Sequence, residues 1–207
     1  MQRRTPLLLL TAGLLAPLLS AQAQTQAQGV DLAGARFEPA VPLAGSRLLL
    51  NGAGIRYKAI FKVYAAGLYL PAKAGTPEAV YATSGPRRMH IVMLRDIDAN
   101  ELGKLFTQGM EKNSPREQFS RSINGTLRLA DLFSRRKRLA AGETFSVDWL
   151  PGTGTVVLIN GKPEIEPIRE PEFFNSLMSI WLGAAPADAG LKDALLGRSA
   201  PARSSEP

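Results

Sequence analysis

The alternation of apolar and polar residues predicts a β-rich first half of the chain. Strand-like runs occupy three segments separated by turn-forming residues such as Asn51-Gly52: 37–41, 47–50 and 57–70. A further strand is predicted over 88–95, where both alternating sets of residues are largely apolar. Because such a strand is covered on both faces, it should lie at the centre of its sheet.

After this strand the apolar spacing becomes that of a helix. Asp98 and Glu101 form a capping box, and an apolar face follows at i, i+3, i+4, i+7 and i+8: Leu102, Leu105, Phe106, Gly109 and Met110. A second helical region is predicted over 115–139, with an interruption at Asn124-Gly125. The middle of the chain is therefore expected to be helical.

The last third combines a hairpin with two helices. Alternation over 145–149 and apolar residues over 155–159 predict two strands, and Pro171 and Asp188 mark the starts of two helices. Strands gathered early, helices in the middle and a late hairpin are typical of an α+β protein. We expect one antiparallel sheet with helices packed on one face.

Composition excludes several classes of active site. The chain is 45% hydrophobic and 21% charged, as in ordinary globular proteins, and it contains no cysteine and one histidine, His90. Disulfides, thiol catalysis, cysteine-bound zinc and multi-histidine metal sites are therefore excluded. His90 lies inside a predicted strand and is interpreted as structural. The glycines at 52–54 and 152–154 lack the P-loop and dinucleotide patterns and are interpreted as turns, so we expect no cofactor and no metal.

Residues 1–23 have the pattern of a secretory signal peptide. Arg3 and Arg4 form a positive n-region, residues 7–19 are largely apolar, and residues 21–23 provide a small-x-small cleavage motif. The apolar run of 13 residues is shorter than the roughly 20 that span a bilayer. We therefore expect a soluble periplasmic protein and a monomer. Its expected parts are a disordered stretch over 24–29, one domain over 30–197 and a disordered tail over 198–207.

The positive charge is concentrated between Arg116 and Arg138. Seven arginines and lysines face two acids there, while the net charge of the whole chain is +7. The favoured interpretation is a solvated helix face, with Arg121, Arg128 and Arg135 outward and three apolar residues inward over the cleft: Phe119, Ile123 and Leu127. Docking on an anionic membrane surface is the alternative, and nucleic acid is not expected as a partner of an exported protein.

Residues 56–64 are the candidate binding site. If they belong to one extended strand, the even-numbered residues share a face, which brings Arg56, Lys62 and Tyr64 together above small apolar side chains. The arginine fork suits a carboxylate or a phenolate, and the tyrosine adds one hydrogen bond. From spacing alone, the exposed polar face of an edge strand fits the pattern equally well.

The order and spacing of several motifs resemble the chalcone isomerase-like superfamily. The motifs are Gly-Ala-Gly-Ile-Arg at 52–56, Lys-Val-Tyr-Ala-Ala-Gly at 62–67, Leu-Pro-Gly-Thr-Gly-Thr at 150–155 and Ile-Trp-Leu-Gly at 180–183. They look most like the bacterial exported branch, and the second motif is also similar to the plant fatty-acid-binding members. The resemblance covers roughly residues 30–197 and implies an open-faced β-sandwich with a ligand cleft between a large antiparallel sheet and a helical layer.

The resemblance carries the family's catalytic residues over only in part. Arg56 matches the arginine that draws a phenolate or ketone into the cleft of the plant isomerases, and Tyr64 stands where they have a threonine. Their tyrosine, asparagine and second threonine fall on residues without equivalent groups: Leu102, Gln108 or Gly109, and Ile180. In the fatty-acid-binding members, the matched arginine and tyrosine hold a carboxylate.

Three functions follow as hypotheses. The favoured one is a non-catalytic protein that binds a fatty acid or similar amphipathic carboxylate through Arg56, Tyr64 and Lys62. The alternative is a chalcone isomerase-type intramolecular lyase, in which Arg56 is the catalytic candidate. The third is a membrane-surface or protein interaction module that docks through residues 116–138.

Overall fold

The computed structural model describes residues 29–198 of the chain. The strands are β1 Val30–Leu32, β2 Ala35–Phe37, β3 Ala40–Leu43, β4 Ser46–Lys58, β5 Phe61–Leu70, β6 Arg87–Met93, β7 Ile97–Asp98, β8 Arg138–Leu139, β9 Thr144–Leu150, β10 Gly154–Ile159 and β11 Lys162–Pro163. The helices are α1 Pro77–Ala82, α2 Ala99–Asn113, α3 Arg116–Arg121, α4 Ile123–Ser134, α5 Pro171–Leu182 and α6 Ala189–Leu195. The expected signal peptide lies outside the described residues, as do the two expected disordered ends apart from Gly29 and Arg198.

Seven strands form one antiparallel sheet in the order β11-β10-β9-β6-β5-β4-β3. β6 lies at its centre, as the apolar pattern over 88–95 predicts. Met89 and Ile91 are buried in the core beneath the helices, while the ring of His90 lies on the other face and contacts Phe37 edge-on. The α+β class with helices on one face of an antiparallel sheet is confirmed.

Both faces of the sheet are covered, although unequally. α2, α4 and α5 pack together on one face and enclose the large core, in which Phe106 and Trp181 meet edge to face. The short hairpin of β1 and β2 covers part of the opposite face over a smaller cluster around Phe37 and Tyr69. A cleft lined by both Arg56 and Tyr64 lies on the helical side of the sheet, so the functional site is sought there.

The single strand expected over 57–70 is wrong, because a tight turn at Ala59 and Ile60 divides it into β4 and β5. Ala59 adopts a left-handed φ of 53° there. This turn contains no glycine, asparagine, aspartate or proline, which is why the sequence does not mark it. The two halves of the predicted strand consequently lie side by side.

The interpretation of Asn51 and the glycines at 52–54 as turns is also wrong, since all of them lie within β4. A register irregularity occurs at Asn51, whose buried side chain donates to the carbonyls of Ala74 and Leu195 and accepts from the Ala74 amide. A Cβ on Gly52 would lie 1.9 Å from the carbonyl oxygen of Ala194. Gly52 and Gly54 therefore allow α6 to pack directly on the backbone of β4.

The second helical region differs from its prediction in three ways. The break falls at Ser122 rather than at Asn124-Gly125, the helix ends at Ser134, and β8 follows. Gly125 packs on the buried face, which turns Ile123 and Leu127 outward with exposed fractions of 40% and 61%. The expected inward placement of these two residues over the cleft is therefore wrong, because the glycine sets the phase of α4.

Candidate functional site

A cleft of about 220 Å³ lies on the helical side of the sheet, between β4–β5 and the pair α2 and α5. Most of its wall is apolar: Leu102, Leu105, Phe106, Gly109, Ile180 and Pro186. Its polar wall residues are Arg56, Tyr64, Gln108, Lys112 and Asn113. A concave apolar site with a few convergent polar groups is the usual form of a small-molecule site.

The turn at 59–60 brings Arg56 and Tyr64 together across two strands. They are direct register partners on β4 and β5, and the guanidinium carbon of Arg56 lies 5.7 Å from the centre of the Tyr64 ring. The Nε of Arg56 is buried and has no hydrogen-bond partner among residues 29–198. Three other buried side-chain atoms in this range also lack a hydrogen-bond partner: Nε of Arg87, Nε of Arg136 and Oγ1 of Thr155.

Tyr64 supplies the second polar group of the cleft. Its hydroxyl oxygen accepts a hydrogen bond of 2.7 Å from the indole Nε1 of Trp181. Burial raises the pKa of Tyr64 to about 12, although the charge of Arg56 acts in the opposite direction. The phenol therefore stays protonated at neutral pH, and its proton is left for an acceptor in the cleft.

Lys62, the third sequence candidate, does not join this pair. A register irregularity near the start of β5 interrupts the alternation of faces. As a result, the neighbouring residues Val63 and Tyr64 both lie in the core beneath the helices. Lys62 is exposed and does not line the cleft. The structure therefore brings Arg56 and Tyr64 together without Lys62.

Two residues that shape the site were not singled out by the sequence as site residues. Trp181 holds the hydroxyl of Tyr64, although the sequence marked it only as part of the Ile-Trp-Leu-Gly motif at 180–183. Asn113 anchors the wall segment that follows α5: its amide nitrogen donates to the Ala185 carbonyl, and its amide oxygen accepts from the Ala185 backbone nitrogen. No local signal marks Asn113, because its partner lies 72 residues away.

A second cavity, called here the side cavity, has a volume of about 230 Å³ and shares one wall with the cleft. Arg56, Leu102 and Leu105 line both spaces. The rest of the side cavity is more polar and includes Phe61 and Arg95. Arg56 thus lines both the cleft and the more polar side cavity.

The one histidine of the chain lies away from the cleft. His90 lies across the sheet from the helices, where its Nδ1 is 2.7 Å from the hydroxyl of Ser146, and burial lowers its pKa. No group of three or more potential metal ligands occurs within residues 29–198. No helix in that range is long and apolar enough to span a membrane.

The family can now be assigned from comparison with known proteins. The model of the chalcone isomerase-like family matches residues 29–197. The chain belongs to this family. A fatty-acid binding protein of Arabidopsis thaliana has a similar structure, with a TM-score of 0.61 and 14% sequence identity over 81% of this chain and 95% of that one. At this identity the similarity shows the fold alone, and no curated protein matches the chain.

In this chalcone isomerase-like protein, the positions at which the sequence resemblance would place the plant tyrosine, asparagine and second threonine all line the cleft. They are occupied by Leu102, by Gln108 or Gly109, and by Ile180. Of these, only the amide of Gln108 is a polar side chain. The cleft therefore combines the guanidinium of Arg56 and the phenol of Tyr64 with a largely apolar wall that also includes Lys112 and two side-chain amides.

Proposed function

We propose that this protein binds a fatty acid or similar amphipathic carboxylate in the cleft and does not transform it. The observation that carries the proposal is the pairing of Arg56 with Tyr64 in the wall of a cleft that is otherwise largely apolar. In the same proposal, the protein acts as a monomer in the periplasm, to which the N-terminal sequence would direct it.

The polar pair suits the carboxylate. The fork of Arg56 offers two parallel N–H donors to the two carboxylate oxygens, and charge-assisted bonds of this type are stronger than neutral ones. The Tyr64 hydroxyl already accepts from Trp181 and donates its own proton to the same head group. Two donors on neighbouring strands then fix the position of the head group.

The aliphatic wall suits the tail. Leu105, Phe106 and Ile180 line the cleft and offer no polar groups that a hydrocarbon chain would leave unpaired. Burial contributes about 0.8 kcal/mol per methylene, close to fourfold in affinity. Because the cleft of about 220 Å³ is smaller than most drug-sized sites, the gain should stop at a moderate chain length.

We expect affinity to rise with chain length in a series of saturated fatty acids and then level off. The rise should be about fourfold per methylene until the cleft is full. Isothermal titration calorimetry on the purified protein, with the corresponding alcohols as matched controls, measures the contributions of the hydrocarbon tail and of the carboxylate to affinity. The alcohols should bind roughly tenfold weaker or more, because they lack the charge. Equal affinity for acids and alcohols, or no saturable binding of any acid, would contradict the proposal.

The match of Arg56 to the family arginine favours one competing function, a chalcone isomerase-type intramolecular lyase. Cyclisation develops an enolate, and losing one preorganised donor typically costs about 3–4 kcal/mol of transition-state stabilisation. Since Leu102 and Ile180 occupy two of the matched positions, the geometry favours binding over turnover.

We therefore expect chalcone to survive incubation with micromolar protein. The absorbance band of chalcone, followed over time, provides the measurement, with Arg56→Ala as the control. A saturable and stereoselective loss of absorbance that disappears in Arg56→Ala would establish an isomerase and overturn the non-catalytic proposal.

A further inference from the structure

The tip of the β4–β5 hairpin, residues 58–62, is an exposed apolar feature that the cleft does not explain. Ile60 and Phe61 are adjacent there, with exposed fractions of 83% and 56%. Within residues 29–198, only two other large apolar side chains are exposed, Ile123 and Leu127 on α4. Adjacent exposed apolar side chains at a protruding turn are typical of an interaction site.

Positive charge surrounds this tip. Residues 56–62 contain Arg56, Lys58 and Lys62 and no acid. The guanidinium carbon of Arg95 lies 5.2 Å from the centre of the Phe61 ring and adds a fourth cation. Apolar side chains flanked by cations fit a surface that is negatively charged outside and hydrocarbon inside.

Three acids lie below the tip along the side cavity, and each has a partner. Glu101 is 3.5 Å from the ammonium of Lys58, and Asp96 is 2.8 Å from the guanidinium of Arg138. Asp98 caps α2 by accepting from the Glu101 amide. These acids therefore moderate the positive charge near α2 but do not reverse it at the tip.

The tip also lines a cavity next to the proposed binding site. Phe61 and Arg95 line the side cavity, whose other wall residues Arg56 and Leu105 also line the cleft. An amphipathic molecule that leaves a membrane at the tip would meet Arg56 through this cavity. The tip thus lines a cavity that shares Arg56 with the cleft.

We propose that the β4–β5 tip docks on an anionic phospholipid bilayer. Ile60 and Phe61 enter the boundary between head groups and acyl chains, and Lys58, Lys62 and Arg95 lie against the lipid phosphates. Each lysine or arginine near such a surface contributes favourably, and salt screens the contribution. Transfer of a fatty acid from the docked membrane to the cleft rests on the proposed carboxylate binding. Docking of the tip on the membrane does not depend on it.

The basic surface of α3 and α4 is the competing site, and its contacts disfavour it. Arg121 pairs with Glu117 and Glu172, and Arg135 pairs with Asp131. Arg128 donates to the backbone carbonyls of Glu166 and Pro167. These three arginines are bonded within the protein, as Lys58 of the tip is with Glu101, whereas Lys62 has no ion pair within residues 29–198. The α3–α4 surface therefore offers a control in which apolar side chains are exposed but these cations are engaged.

The decisive experiment uses two variants of the full chain, one with a tryptophan at the β4–β5 tip and one with a tryptophan on the α3–α4 surface. Phe61→Trp should shift its fluorescence to shorter wavelength when vesicles of phosphatidylglycerol and phosphatidylcholine are added at low salt. The shift should shrink at high salt and be absent with phosphatidylcholine alone. The control Leu127→Trp should show no shift. No shift at position 61, or a shift at position 127 instead, would overturn the proposal.

A second pair of variants measures the energetic contribution of the tip. The double variant Ile60→Ser with Phe61→Ser should lower the partition of the full chain onto the anionic vesicles in co-sedimentation by roughly tenfold or more. The double variant Ile123→Ser with Leu127→Ser should leave it unchanged. Equal losses in both double variants would contradict a specific role of the tip.

A binding measurement with a soluble short-chain fatty acid and no vesicles separates membrane docking of the tip from carboxylate binding in the cleft. The Ile60→Ser/Phe61→Ser variant should retain wild-type affinity for the acid. A wild-type protein that binds the acid but shows no tip signal would overturn docking alone. A wild-type protein that docks but binds no acid would overturn carboxylate binding and leave docking supported.

Discussion

Replacing Arg56 with alanine is expected to weaken fatty-acid binding by roughly tenfold to a hundredfold. The reason is the loss of a charge-assisted hydrogen-bonded pair, which contributes about 1.5–3 kcal/mol. Titration of the purified variant with the best-binding acid of the chain-length series measures the effect. Arg56→Lys should also bind more weakly than the wild type, because an ammonium group lacks the bidentate fork.

Two controls show whether the effect belongs to this guanidinium. Arg47 is an exposed arginine on the same strand β4 and does not line the cleft, so Arg47→Ala should bind normally. Lys62→Ala should also bind normally, because Lys62 lies outside the cleft wall. Wild-type affinity in a folded Arg56→Ala protein, or equal losses in Arg47→Ala, would exclude Arg56 as the head-group anchor.

The thermal stability of an Arg56 variant distinguishes an arginine that binds a ligand from one that stabilises the fold. The buried Nε of Arg56 has no partner among residues 29–198, so the free protein carries an uncompensated donor. Arg56→Met keeps the aliphatic stem and removes this donor, and replacing an uncompensated buried polar group is often neutral or stabilising. We expect a melting temperature equal to or above that of the wild type together with weak binding of the acid.

Replacing Gly52 with alanine is expected to destabilise the fold by about 1–3 kcal/mol, as overpacking of a tight contact usually does. The added Cβ would lie 1.9 Å from the carbonyl oxygen of Ala194, a backbone atom that cannot rotate away. α6 would have to move off β4. Thermal unfolding measures the effect, at about 2–4 °C for each kcal/mol in a protein of this size.

Gly75→Ala is the matched control, because a Cβ on Gly75 meets no heavy atom within 4 Å. The Gly52→Ala substitution should also reduce affinity for the acid, since Asp188 caps α6 and accepts from the Tyr57 amide beside Arg56. Equal melting temperatures for Gly52→Ala, Gly75→Ala and the wild type would show that α6 does not depend on close contact with β4.

The sequence by itself determined the parts of this protein that depend on neighbouring residues. The period of apolar residues predicted a central strand at 88–95, and the capping box at Asp98 predicted the start of α2; both occur in the structure. The even spacing of Arg56 and Tyr64 predicted a shared face. That prediction survives the unexpected turn, because register pairing across a hairpin also places partners on one face.

Only the tertiary structure decided which of these residues meet across the fold. The turn at Ala59 and Ile60 has no local signal, and Asn51 and Gly52 look like a turn until α6 is seen to pack on β4. Likewise, Trp181 reaches the hydroxyl of Tyr64 from 117 residues away. Periodicity and capping are short-range effects, whereas close backbone approach and the shape of the cleft arise from contacts between distant segments. These contacts therefore cannot be read from the local pattern.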